Sequence, residues 1–295
     1  MCALLIWNTP ASAPTYEPFR DEMQRLGYVQ GRNVDIEFHY ASGRTDRLNE
    51  MAADLARRRV AVIVAGGTTP SHAAKATTGT IPIVMVAVSD PLATGLVENI
   101  ARPTANVTGV ALSSPEMGSK RVQLLRDLLP DLKRIGFLGS TTDRNSNTFQ
   151  HQLAASAETI GAALITRLVG GAEEFSPALD GIVDERAQAV VIQPFFVAEH
   201  SKTIADLAMD RRLPSIADYA VYAHSGGLLS YGADLSGQFR RAAHYVDKLL
   251  TGAKPSELPV EQPTEFVLVV NRRTAGKLGL SISQALIVQA DEVIE

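Results

Sequence analysis

The sequence predicts an α/β fold built from parallel sheets and arranged in two similar halves. Three observations carry this. Short apolar runs of strand length recur along the chain. Stretches with helical periodicity separate them, which is the pattern of consecutive βαβ units. The whole alternation then starts again beyond Leu112.

Taken in order, Ala3–Trp7 is a continuous apolar run and reads as the first strand. Tyr16–Leu26 follows as a helix closed by Gly27. Val34, Ile36, Phe38 and Tyr40 alternate with polar residues, as a half-exposed strand should. Leu48, Met51, Ala52 and Leu55 fall on one helical face. Val60–Ala65, Ile83–Val88 and Val107–Leu112 are further strands. In the second half, Val122, Leu125 and Leu129 mark a helix that stops at Pro130, and Ile135–Leu138 is a strand. A polar loop, Ser140–Asn147, leads to a helix around Leu153, Ala157 and Ile160. Strands follow at Ala163–Leu168, Ala189–Ile192 and Pro214–Ala217, with helices near Pro177–Glu185 and Thr203–Arg211. Gly226–Tyr231 is strand-like. The helix after it, with Phe239, Ala242, Ala243, Val246, Leu249 and Leu250, is the most amphipathic in the chain and ends at Gly252. Phe266–Val270 and Thr274–Leu278 close the pattern as strand and helix. That late strand–helix–strand addition is what a chain needs if it crosses back between two lobes.

Composition excludes several classes. The chain has 295 residues with 28 Lys+Arg against 32 Asp+Glu, a net charge of −4. Mild acidity argues against a nucleic-acid partner, which requires a basic face. A single cysteine, Cys2, leaves no disulfide framework and no zinc site built from several cysteines. No apolar run approaches the roughly 18 residues of a membrane-spanning helix. There is no G-x-G-x-x-G fingerprint and no G-x-S-x-G elbow, and Gly66-Gly67-Thr68-Thr69 lacks the lysine of a phosphate loop. The histidines are scattered without metal-ligand spacing. No catalytic residue, metal or cofactor is therefore assigned.

The ends of the strands are informative instead, because open parallel sheets bind ligands beyond their carboxyl ends. The loops there are Trp7–Pro14, Gly66–Ser71, Ser89-Asp90-Pro91, Ser140–Asn147, Pro194-Phe195-Phe196 and Asp218-Tyr219. They are rich in Ser, Thr, Asn and Gly, with an aromatic residue or an Asp at intervals. Hydroxyls and free N–H groups at helix N-termini suit a carboxylate, Asp suits an ammonium, and aromatic faces suit an apolar body. Each Ser, Thr or Asp alone is also a favoured helix cap. Together the loops indicate a cleft for a polar small molecule.

At the level of motifs the chain resembles a known family. Pro14–Phe19 with Leu26–Asn33, Ala65–Thr68, Ile81–Val84, Ser89–Pro91 with Gly95–Val97, and Arg102-Pro103 with Asn106–Gly109 carry the likeness. So do Gly226–Gly232, Asn271 with Thr274-Ala275, and Lys277–Leu280. These resemble the ABC transporter substrate-binding family, with a type I periplasmic-binding fold, which includes binders of aromatic amino acids. The resemblance implies two Rossmann-like lobes joined by three crossing strands. Placed on this sequence, residues 1–112 and 233–263 form one lobe, and 113–232 and 264–295 the other. It implies capture of a small organic solute, an amino acid or aromatic carboxylate, in the cleft between the lobes, closure by hinge bending, and delivery to the permease and ATPase subunits of an importer by a monomeric, periplasmic protein. It also implies an export signal. The family-like part begins within a few residues of Met1, so a signal removed from the chain is expected.

On this reading Trp7, Phe195, Phe196 and Tyr219 pack on the solute, with Tyr222 secondary. Ser12, Thr68, Thr69 and the backbone near Asn145–Asn147 hold its carboxylate, Thr142 is a further ligand-binding candidate on that loop, and Asp90 or Asp218 pairs with an ammonium group. Two other classes compete. A regulator's ligand-sensing domain needs a helix-turn-helix ahead of the first strand. An α/β enzyme needs a pocket residue of strongly shifted pKa beside a partner.

Overall fold

Runs of Val, Ile and Ala form the strands of the first half, because β-branched side chains fit a pleated, buried surface. The computed structural model describes residues 2–6, 13–112 and 116–295, with side chains described from Tyr16 to Leu112 and from Met117 to the C-terminus. The chain divides into two units, Met1–Ser114 with Leu235–Thr264, and Pro115–Asp234 with Glu265–Glu295. It therefore passes from one unit to the other three times.

The first unit opens with β1 (Cys2–Ile6), α1 (Ala13–Arg25), β2 (Ile36–Tyr40) and α2 (Thr45–Arg57). It continues with β3 (Val62–Gly66), α3 (Thr68–Thr77), β4 (Ile83–Val88) and β5 (Val107–Ala111). The strand order is β2-β1-β3-β4-β5, every pair parallel. β3 and β4 are interior strands and almost wholly buried, which explains why they read as unbroken apolar runs. β2, on the edge, buries only Ile36 fully, in keeping with its alternation.

The second unit begins with α4 (Glu116–Leu128), β6 (Arg134–Ser140), α5 (Ser146–Thr159) and β7 (Ala163–Val169). Then come α6 (Phe175–Asp184), β8 (Ala189–Ile192), α7 (Pro194–Asp210), β9 (Ser215–Ala217), α8 (Ala220–His224) and β10 (Leu229–Ala233). The chain returns to the first unit as α9 (Leu235–Leu250), whose Phe239, Ala242, Ala243 and Val246 are buried. They join Tyr16, Phe19 and Met23 of α1 in one core, and the rings of Tyr16 and Phe239 meet edge to face at 5.0 Å. The segment after α9 runs beside β5. Thr108 Oγ1 donates to the Leu258 carbonyl at 2.7 Å, and Ala111 N–H to the Glu261 carbonyl at 2.8 Å.

The last pieces, β11 (Phe266–Asn271), α10 (Arg272–Leu278), α11 (Gln284–Gln289) and β12 (Glu292–Ile294), complete the second unit. Its sheet runs β12-β11-β10-β9-β8-β6-β7, and β10 with β11 is its one antiparallel pair. Among the described residues no helix is long and apolar enough to cross a membrane.

Some expectations shift. Pro194-Phe195-Phe196, expected as a loop, is the first turn of α7, because proline is well suited to the first helical position. The strand expected from Gly226 begins only at Leu229, since Gly226 has a φ of 107° and turns the chain. α8, α11 and β12 span five, six and three residues, too few to leave a period in the sequence.

Candidate functional site

Parallel strands place all their carboxyl ends at one edge of a sheet, so each unit has one edge where ligand chemistry can gather. In the first unit that edge carries Gly66-Gly67 and the start of α3. Gly67 has a φ of 99° and sits as the helix cap, so no side chain satisfies the first N–H groups of the helix. Thr68 and Thr69, both buried, stand beside those donors. The arrangement suits a carboxylate oxygen.

Asp90, at the end of β4, is engaged locally. Its Oδ1 accepts from Ala93 N–H at 2.9 Å, and its carbonyl accepts from Thr94 N–H and Oγ1 at 3.0 and 2.6 Å. That is the behaviour of a turn-forming Asp. Lys75 pins the same loop by donating to the carbonyls of Gly95 and Leu96.

In the second unit two polar groups are buried at the corresponding edge. The first centres on Gln193, just after β8. Its Oε1 accepts from Ser140 N–H at 2.7 Å and Ser146 Oγ at 3.0 Å, and its Nε2 donates to Asp143 Oδ2 at 2.6 Å. Burial pushes the Asp143 carboxyl up, while hydrogen bonds from Asn145 and Gln193 oppose the shift. Asn145 caps α5 by position, is 2% exposed, and its Oδ1 has no hydrogen-bond partner. Thr142 is exposed on this loop, with Oγ1 2.9 Å from Ser140 Oγ, whereas Asn147, expected in the loop, is exposed in the first turn of α5.

The second group centres on Asp218, immediately after β9. Its carboxylate pairs with Arg121 of α4, Nη2 to Oδ2 at 2.6 Å, and the two side chains are 1% and 2% exposed. The contact is an ion pair by distance, off the angle of a hydrogen bond, so charge attraction carries it. Arg121 Nε donates to the Tyr231 carbonyl on β10 at 3.0 Å, and its guanidinium lies over the Phe149 ring, 5.6 Å from the centroid. Asp218 Oδ1 has no hydrogen-bond partner. Burial pushes the Asp218 carboxyl up to about 6, against the pull of Arg121. The backbone of β10 comes so close to this residue that a Cβ on Gly232 would collide with the Asp218 carbonyl.

Of the aromatic candidates, Phe195 is half-buried and meets Phe196 edge to face at 5.3 Å. Phe196 is 3% exposed and packs on Phe175 at 4.9 Å. Tyr219 is buried and caps α8 by position. Tyr222 is fully buried and donates to Ser215 Oγ at 2.7 Å. Trp7 and Ser12 lie outside the described residues. No group of three or more His, Cys, Asp or Glu that could hold a metal ion occurs among the described residues.

Two participants escaped the sequence reading. Arg121 shares the buried stripe of α4 with Leu124, Leu125 and Leu128, and a cation on an apolar stripe was the available signal. Gln193, between a buried strand and Pro194, was the other.

Comparison with known proteins bears on this geometry. The family model described as "ABC transporter substrate binding protein" matches residues 3–294. A tyrosine-binding protein of Clostridioides difficile is 25% identical over 277 residues, covering 93% of this chain and 80% of that protein. A solved ABC domain from Streptococcus pneumoniae, in complex with L-Trp, superposes with a TM-score of 0.92 at 25% identity, covering 99% of each chain. A conserved domain protein from Vibrio cholerae O1 biovar El Tor gives 0.93 at 26% identity, over 99% of this chain and 98% of that one.

Proposed function

Because the chain belongs to the ABC transporter substrate-binding protein family, we propose that it captures an aromatic amino acid outside the cytoplasmic membrane and delivers it to the permease and ATPase subunits of an importer. Proteins similar to it bind tyrosine and hold L-Trp. The observation that carries the reading is Asp218, a carboxylate with 1% side-chain exposure and one oxygen left without a partner. A buried charged acceptor is costly unless something completes it. An α-ammonium group is the complement in charge and hydrogen bonding.

On this reading Asp218 of the second unit meets the solute's ammonium group, and Thr68, Thr69 and the start of α3 are the first unit's own candidates for a carboxylate. Asn145 completes the polar contacts, and Phe195 and Tyr219 supply apolar surface for the ring. On this reading nothing is cleaved or transferred: the solute is bound and released unchanged. Periplasmic residence and action as a single chain belong to the same proposal.

Isothermal titration tests it, using protein unfolded and refolded to strip any carried solute. The panel is the twenty amino acids together with aromatic carboxylates, sugars and polyols. Saturable heat with L-tryptophan or L-tyrosine is expected. Heat only with sugars or polyols, or with nothing in the panel, contradicts the proposal.

A further inference from the structure

Arg121 is the least expected residue in the second unit. A guanidinium with 2% side-chain exposure on an apolar helix stripe costs stability unless its environment answers it completely. Its answer is partial, since Nη2 is buried without a hydrogen-bond partner. Nε is held by the Tyr231 carbonyl, Nη2 faces Asp218 Oδ2, and the flat face covers Phe149. It thus spans the first turns of α5, the end of β9 and the middle of β10. These three contacts hold it in place beside Asp218. Its effect falls on Asp218: one oxygen is clamped and the other is left as the available acceptor.

We propose that Arg121 is a positioning residue of the solute site: by holding one oxygen of Asp218 it aims the other at the ligand's α-ammonium group, and so makes the site select a zwitterionic amino acid over the same molecule without its amino group. This rests on the amino-acid reading above. The pair of Arg121 and Asp218 has no net charge, so the solute's ammonium charge is matched by the solute's own carboxylate. A simple amine brings an unbalanced positive charge beside a buried guanidinium, and a simple carboxylate leaves Oδ1 unanswered. Burial raises the Asp218 carboxyl, and Arg121 lowers it against that larger effect, so the pH at which it ionises depends in part on Arg121.

The test measures affinities of the wild type, Arg121→Met and Arg121→Lys for L-tryptophan, indole-3-propionate and tryptamine, from pH 5 to pH 8. In the wild type L-tryptophan is expected to bind about 10- to 100-fold more tightly than either analogue, the worth of one charge-assisted hydrogen bond. In Arg121→Met that preference should collapse with little change for indole-3-propionate, and the pH at which L-tryptophan binding appears should move upward. Arg121→Lys keeps the cation, and is expected to restore most of the preference and the original pH onset. It also provides the readout should the Met variant fail to fold. Equal weakening of all three ligands in the variants, or an unchanged preference and pH onset, overturns the assignment. Failure of the wild type to bind any amino acid overturns the underlying reading instead, so the two failures are distinct.

Discussion

Replacing Arg121 with Met removes the one cation that offsets the buried Asp218 carboxylate, and the consequence for stability has a definite pH dependence. The carboxyl stands at about 6 in the folded chain, above its value of about 3.9 in an unfolded one. A raised carboxyl favours folding while protonated. In the wild type that contribution is present below about pH 4 and is lost as pH rises toward 6. Without Arg121 the folded carboxyl moves higher still, because burial then acts without the opposing pull of the guanidinium. The loss of stability then continues past pH 6 in the variant after it has ended in the wild type. The gap between them should widen by about 1.4 kcal/mol per pH unit above pH 6 until the new value is reached. Breaking a buried pair costs about 3–5 kcal/mol in all, which is a fall in melting temperature of roughly 6–20 °C at pH 8 for a unit of this size. Thermal unfolding of both proteins at pH 5 and pH 8, without solute, reads this directly. A gap that is the same at both pH values, or smaller at pH 8, refutes the reasoning.

Other expectations follow from single contacts. Solute binding that needs ionised Asp218 should weaken about tenfold per pH unit below pH 6, since protonation fills the acceptor, and calorimetry on Asp218→Asn should show weak binding with no such slope. Gly232→Ala should lower stability by about 1–3 kcal/mol, measured by urea unfolding, because the new methyl meets backbone and no rotamer change relieves it. Gln193→Leu should cost about 1–3 kcal/mol for each buried group it abandons, read as a lower melting temperature. Ser140 N–H and Asp143 are the groups left without their present partner.

Most of the elements were legible because each half obeys two simple periods. β3 and β4 read as strands from unbroken apolar runs, and α9 read as a helix from its stripe of buried residues. What was illegible is short or tertiary in origin. α8 has too few residues for a period, and Pro194 looked like a loop residue although a helix begins there. The candidate site was harder. Strand-end composition led to Asp218 and Asn145, which are buried with unpartnered oxygens. The same rule also led to Asp90, whose side chain caps its own turn, and to Phe196, whose ring packs on Phe175. Residue type at a strand end does not say whether a side chain faces outward or closes a local bond. Arg121 lay outside the rule, because it reaches the edge from within a helix.

The most direct test of the central claim is native mass spectrometry. Refolded wild-type protein is incubated with an equimolar mixture of amino acids, sugars, polyols and aromatic carboxylates, and the mass of the complex is read. A single adduct with the mass of tryptophan or tyrosine is the result expected. An adduct with the mass of a sugar or polyol, or no adduct at all, contradicts the account.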